Sequence, residues 1–151
     1  MSVPESNLLL DALTPESRKA ILSHSKQMAL PVRTSLQAQE ESPRFAYFLT
    51  SGVASVVVGH YEGASSETAL VGREGLTGGL SLLGVSAPPA ACFIQVVGQG
   101  YQIPFTTLQN LFNNSADIRT RVLQCIQQQA MTTIQMAACN CLLYTSPSPR
   151  D

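Results

Sequence analysis

Between Leu30 and Pro104 the chain cannot form one long helix. Its apolar residues come in short runs that favour a period of two, and Gly, Ser or Pro interrupts them. "FAYFLTSG" followed by "VASVVVGHYEG" reads as strand, turn, strand, with Ser51-Gly52 as the turn. "SSETALVG" is a third strand, and "CFIQVVGQGYQIP" is a strand pair or one bent strand, with Gly98 and Gly100 at the break. Short strands with turn signals about every ten residues build a sandwich or a barrel. Between them, "REGLTGGLSLLGVSAPPAA" reads as a structured loop, because Leu76, Leu80, Leu82 and Leu83 call for burial.

Both flanks are helical. Leu8, Leu9, Leu10 and Leu13 form an apolar cluster, and Thr14-Pro15-Glu16 is a strong helix start. Thr caps, Pro occupies the first helical position, and Glu meets the positive end of the dipole. Ile21, Leu22 and Met28 extend that helix to about Gln27 or Met28. After Pro104, "PFTTLQNLF" is a short helix, "NNS" breaks it, and Asp117 opens a long one. Ile118, Val122, Cys125, Gln129, Thr132, Met136 and Cys139 recur by fours and threes, the spacing of a coiled-coil seam. Leu123, Ile126, Ala130, Ile134 and Ala137 form a second row beside it. Two rows suit a helix that packs on its own barrel and on a partner; the alternative is that both face one core. From Ala116 to Asn140 such a helix spans about 37 Å, too long for a small barrel to cover, which favours the dimer seam. The expected organisation is a barrel with N-terminal helices over 1–115 and a dimerisation helix over 116–140.

Composition narrows the function classes. The chain has 151 residues, 44% hydrophobic and 13% charged, which suits one folded domain. A net charge of −1 provides no basic surface for nucleic acid phosphates. The start "MSVPESNLLLDALTPESRK" is no secretory signal, and no apolar run reaches membrane-spanning length, so a cytoplasmic protein is expected. Cys92, Cys125, Cys139 and Cys141 make no Cys-x-x-Cys pair, and the histidines are His24 and His60 alone. Small buried hydrophobes are the expected role for such cysteines, with no metal and no cofactor. "GREGLTGG" lacks the Lys of a phosphate-binding loop, and Thr77 precedes Gly78 instead of following the last Gly. Glu62, Glu67 and Glu74 fall at turns or strand ends, where carboxylates are solvated, so no catalytic pair is expected and the chain does not read as an enzyme.

"YFLTSGVASVV" (Tyr47 to Val57), a Gly-rich segment and a final long helix resemble, in that order, the sensor domain of Crp/Fnr-type bacterial transcription regulators. "LTGGLSLLGVSAPPAACFIQV" resembles the family's phosphate-binding cassette, and the resemblance covers about Asn7 to Asn140. It implies a mainly β fold with flanking helices: a cyclic-nucleotide-binding-like jelly roll (double-stranded β-helix) followed by a long dimerisation helix. It also implies a homodimer with a small-molecule effector of unknown identity. DNA contact would come only through a winged helix-turn-helix domain after that helix, which this chain lacks. The ligand-pocket candidates carried over are Gly78, Gly79, Leu80, Pro89, Ala90, Thr132 and Thr133. The cassette is degenerate. The family's ribose-binding Glu falls on Gly79 and its phosphate-binding Arg on Pro89. A phosphate buried without that cation is costly, so cyclic AMP and cyclic GMP are not expected to bind. The alternatives are a cyclic-nucleotide sensor with atypical contacts, a standalone protein-interaction domain, and, least suited to two histidines, a cupin-like enzyme.

The last eleven residues, "CLLYTSPSPRD" (Cys141 to Asp151), resemble the translation of a transposase adapter used in sequencing libraries. They are expected to be a non-native tail, with the native gene continuing beyond Asn140 into the rest of the helix and a DNA-binding domain.

Overall fold

A computed structural model describes residues 6–59 and 65–144. Helices α1 (Leu8–Ala12) and α2 (Pro15–Leu22) open the chain. Strands β1 (Lys26–Leu30), β2 (Ser35–Gln37), β3 (Phe45–Leu49), β4 (Val53–Gly59) and β5 (Ser65–Val71) follow. A one-turn helix α3 (Gly79–Leu82) precedes β6 (Ala90–Val96) and β7 (Gly98–Pro104), and α4 (Phe105–Asn114) and α5 (Ala116–Tyr144) complete the order. His60 and Glu62 lie outside the described residues. No helix among the described residues is long and apolar enough to cross a membrane.

The strands form two antiparallel sheets, ordered β1-β7-β3 and β2-β6-β4-β5. Neither sequence-adjacent pair read from the turns is a hairpin. β3 pairs with β7, whereas β4 pairs with β5 and β6, so Ser51-Gly52 carries the chain from one sheet to the other. β6 and β7 likewise lie in different sheets, with only Val97 between them, so this segment is a bent strand. The two crossings pack on each other. A Cβ on Gly52 (φ +80°) would lie 2.5 Å from the Val96 carbonyl oxygen, and one on Gly98 would run into the Ser51 backbone. Glycine is needed there for backbone approach as well as for the left-handed turn.

The apolar run of β3 is buried on both faces, which explains its lack of alternation. Tyr47 and Leu49 join Leu30, Leu36, Ala54, Val71, Cys92 and Ile94 in the core between the sheets. Ala46 and Phe48 face the other way, into a core of Leu9, Leu10, Ile21, Ile103, Leu108 and Phe112 under the helices. Asn7 ties these layers together while almost fully buried. Its Oδ1 accepts from the Leu10 N–H at 3.0 Å, capping α1. Its Nδ2 donates to the Leu49 and Gly75 carbonyls, each at 2.8 Å.

Thr14 caps α2 by accepting from the Ser17 N–H, with Pro15 at the first turn. That helix stops at Leu22, short of the expected Gln27 or Met28. Met28 is opposite Gly100 in the β1–β7 ladder, and this pairing outweighs the helical spacing of the apolar residues. At the C-terminal end, Ser115 separates α4 from α5, and its Oγ accepts from the Ile118 N–H. α5 runs without a break across Asn140 to Tyr144.

Candidate functional site

The segment between β5 and α3 is held on both sides. Thr77 and Tyr47 exchange two hydrogen bonds: the Thr77 N–H donates to the Tyr47 carbonyl, and the Tyr47 N–H donates to the Thr77 hydroxyl. On the other side, Gln129 Nε2 of α5 donates to the Leu76 carbonyl at 3.4 Å, and the Cys125 thiol faces the Glu74 carbonyl at 4.0 Å. Gly78 (φ +84°) then turns the chain into α3. Gly79 sits against Ile126 so closely that a Cβ would lie 2.9 Å from Ile126 Cγ1. Leu76 and Leu82 are buried as expected. Leu80 and Leu83 are not: they are about half exposed, at 52% and 47%, because the single turn of α3 buries the side bearing Gly79 and Ser81.

This packing leaves a cavity of about 480 Å³ between β4–β6, α3 and α5. Alternation along β4 and β5 turns Val56, Val58, Ala69 and Val71 toward it, and Cys92 of β6 closes that wall. Ile126, Gln129, Ala130, Thr133 and Ile134 of α5 form the opposite wall. No charged side chain lines the cavity among the described residues. Burial pushes the Cys92 thiol up to about 12, so this group stays neutral. Ser81 Oγ and Gln37 Nε2, on residues that both line the cavity, are buried without a hydrogen-bond partner among the described residues.

The cavity gathers Gly78, Gly79, Leu80, Pro89, Ala90 and Thr133 from the cassette positions. Thr132 is exposed, is not part of the lining, and donates to the Gln128 carbonyl instead. Thr133 makes the equivalent bond to Gln129 at 2.9 Å, which orients its methyl and hydroxyl without adding charge. Glu67 accepts from Ser55 Oγ, and Glu74 accepts from the Gly72 N–H. Among the described residues, no three His, Cys, Asp or Glu side chains converge as metal ligands.

The first half of the proposed dimer seam requires correction. Ile118 and Val122 are each 1% exposed and belong to the chain's own helical core. Cys125 and Gln129 face the 74–76 segment. A stripe spaced by fours and threes fits any apolar surface, and here the near half meets its own barrel. Thr132 and Cys139 are exposed farther along, and the Met136 side chain lies outside the described residues. The second row, Ile126, Ala130 and Ile134, is cavity wall. Sequence reading missed Gln37, Ser81 and this wall. The paired apolar rows and the Val56/Val58 alternation were the available signals for the wall, whereas the two polar residues carry none.

No protein-family model matches the sequence, and no curated protein matches it. Solved structures do. The sensor domain of the transcriptional regulator DNR from Pseudomonas aeruginosa superposes with a TM-score of 0.64 at 16% identity, over 84% of this chain and 85% of that one. The c-di-GMP-responsive global regulator CLP of Xanthomonas campestris gives 0.69 at 16% identity, over 91% and 75%. A cyclic nucleotide-binding domain from Methylobacillus flagellatus gives 0.69 at 15% identity, over 93% and 82%. The chain has the cyclic-nucleotide-binding-like jelly-roll fold. Its neighbours are regulators of the Crp/Fnr kind and cyclic-nucleotide-binding domains, as the sequence resemblance implied. Identities this low carry the jelly roll and leave the ligand to the chemistry of the cavity.

Proposed function

We propose that this chain is the effector-sensing and dimerising part of a Crp/Fnr-like transcription regulator, working in the cytoplasm and without enzymatic activity. The observation that carries this reading is the position of the cavity. Anything that fills it touches Ile126, Gln129, Ala130 and Thr133 of α5 directly. The resemblance makes α5 the dimerisation helix, so an occupant acts on the element through which two copies pair. An effector shifts such a pairing only by its difference in affinity for the two arrangements.

In this reading the cyclic-nucleotide cassette is degenerate: Gly79 and Pro89 stand where the resemblance places the ribose-binding Glu and the phosphate-binding Arg. Pairing between copies falls to the outer part of α5, around Thr132, Met136 and Cys139. DNA contact belongs to the winged helix-turn-helix domain that the resemblance implies. Two measurements test the proposal. In a Cys141→Ser background, mild oxidation should link two chains through the exposed Cys139, and Cys139→Ser should abolish the link. Genomic sequence past codon 140 should run on into a helix-turn-helix pattern. A strictly monomeric chain together with an early native stop would overturn the regulator reading.

A further inference from the structure

The lining of the cavity specifies a ligand chemistry. An ion entering it would meet no counter-charge among the described lining residues, and Cys92 remains a thiol. A charge moved into such surroundings without a partner loses more in hydration than apolar contacts return. Aliphatic side chains from three strands and one helix make most of the wall, the usual lining of a site for an apolar small molecule. A cavity of about 480 Å³ is the size that encloses a drug-sized molecule.

Two polar groups lie buried on residues that line this apolar surface, and Gln37 also borders a second, smaller cavity. Ser81, on α3, is only 5% exposed, and its hydroxyl has no partner among the described residues. Gln37, at the end of β2, has its Nε2 buried in the same condition. Both residues line the cavity, one from the helix and one from the strand. Buried donors are nearly always paired, because an unpaired one keeps the full cost of its lost hydration. A ligand that brings an acceptor removes that cost, whereas a pure hydrocarbon leaves it in place.

We infer that the cavity binds an uncharged, largely apolar small molecule bearing a hydrogen-bond acceptor such as a carbonyl, anchored by donation from Gln37 and Ser81. This rests on reading the cavity as the effector pocket, and it names the class of effector. The rejection of anions and the acceptance of a carbonyl share one origin: the described lining residues carry neutral donors and no cation.

The test uses the whole chain and neutral probes. 1-Aminoanthracene, whose fluorescence rises in apolar surroundings, is titrated into the protein; the chain has no Trp to interfere. Fluorenone and fluorene, which differ by one carbonyl, then compete with it. The expected result is saturable probe binding, lost in Ala130→Phe, which fills the cavity from an exposed helix position. The ratio of fluorenone to fluorene affinity should fall about tenfold in the Gln37→Leu/Ser81→Ala double variant, the effect of one or two hydrogen bonds. Cyclic AMP and inorganic phosphate should not displace the probe. An unchanged ratio in the double variant would overturn the anchoring role of Gln37 and Ser81. Displacement by cyclic AMP would overturn the neutral-ligand inference and leave the sensor reading standing. Absence of binding by probe and nucleotide alike would remove the pocket, and the sensor reading with it.

Discussion

Gly79 and Ile126 are in contact with no room between them for a side chain: a Cβ on Gly79 would lie 2.9 Å from Ile126 Cγ1. The position where the resemblance places the cassette acid has no room for that side chain as packed. Gly79→Glu should destabilise the fold by about 1–3 kcal/mol through overpacking, with a carboxylate left unpaired beside an apolar cavity. Ile126→Ala should be destabilising alone and should relieve part of the Gly79→Glu cost in the double variant. Urea melts of the four proteins give that coupling directly, and simple additivity would show that the two residues do not compete for space.

Asn7 is the counterpart at the far end of this loop. Replacing it with Ala removes the cap on α1 and leaves the Leu49 and Gly75 carbonyls without that partner. The expected loss is about 2–4 kcal/mol, read from the urea midpoint at constant slope. A loss of a few tenths would mean that water replaces the amide freely.

Asp117 gives the stability a sign with pH. The Thr14 N–H, the Ser17 hydroxyl and the Thr14 hydroxyl favour its charged form, so its carboxyl sits below the usual range. A depressed pKa in the folded state contributes stability above the unfolded value, and that contribution fades as pH falls through the folded value. Wild type should therefore exceed Asp117→Asn in melting temperature at neutral pH, with the gap closing below about pH 4. A gap that persists unchanged in acid would assign the effect to hydrogen bonding alone.

Cys92 and Cys139 should differ sharply in reactivity. Cys92 is buried in the cavity wall with its thiol pushed up to about 12, and Cys139 is exposed. At pH 8, iodoacetamide followed by peptide mass mapping should label Cys139 within minutes and Cys92 only after unfolding. Equal labelling would show that the cavity opens far more widely than its packing implies.

Much of this was legible in the chain itself. The segments of β3 to β7, the Thr14 cap and the break before α5 follow from local signals, namely alternation, capping residues and turn residues. The end of α2 was not, because Met28 fits a helical stripe and only its pairing with Gly100 places it in a strand. The crossing at Ser51-Gly52 looks like a hairpin until the partner of β3 is known to be β7. The near half of the seam misled for a related reason: Ile118 and Val122 would suit a partner helix or their own barrel equally well. At the site, the cassette positions were found through the resemblance, but Gln37 and Ser81 have no sequence signal. Their significance is that each lacks a partner among the described residues, and that is a property of the assembled fold.

The central claim is that this jelly roll keeps its pocket and has exchanged the chemistry of the ligand. Calorimetric titration of the chain with cyclic AMP tests it most directly. With Gly79 and Pro89 lining a cavity whose described walls hold no cation, the account predicts no saturable heat up to millimolar nucleotide. A saturable isotherm with a micromolar dissociation constant would contradict it.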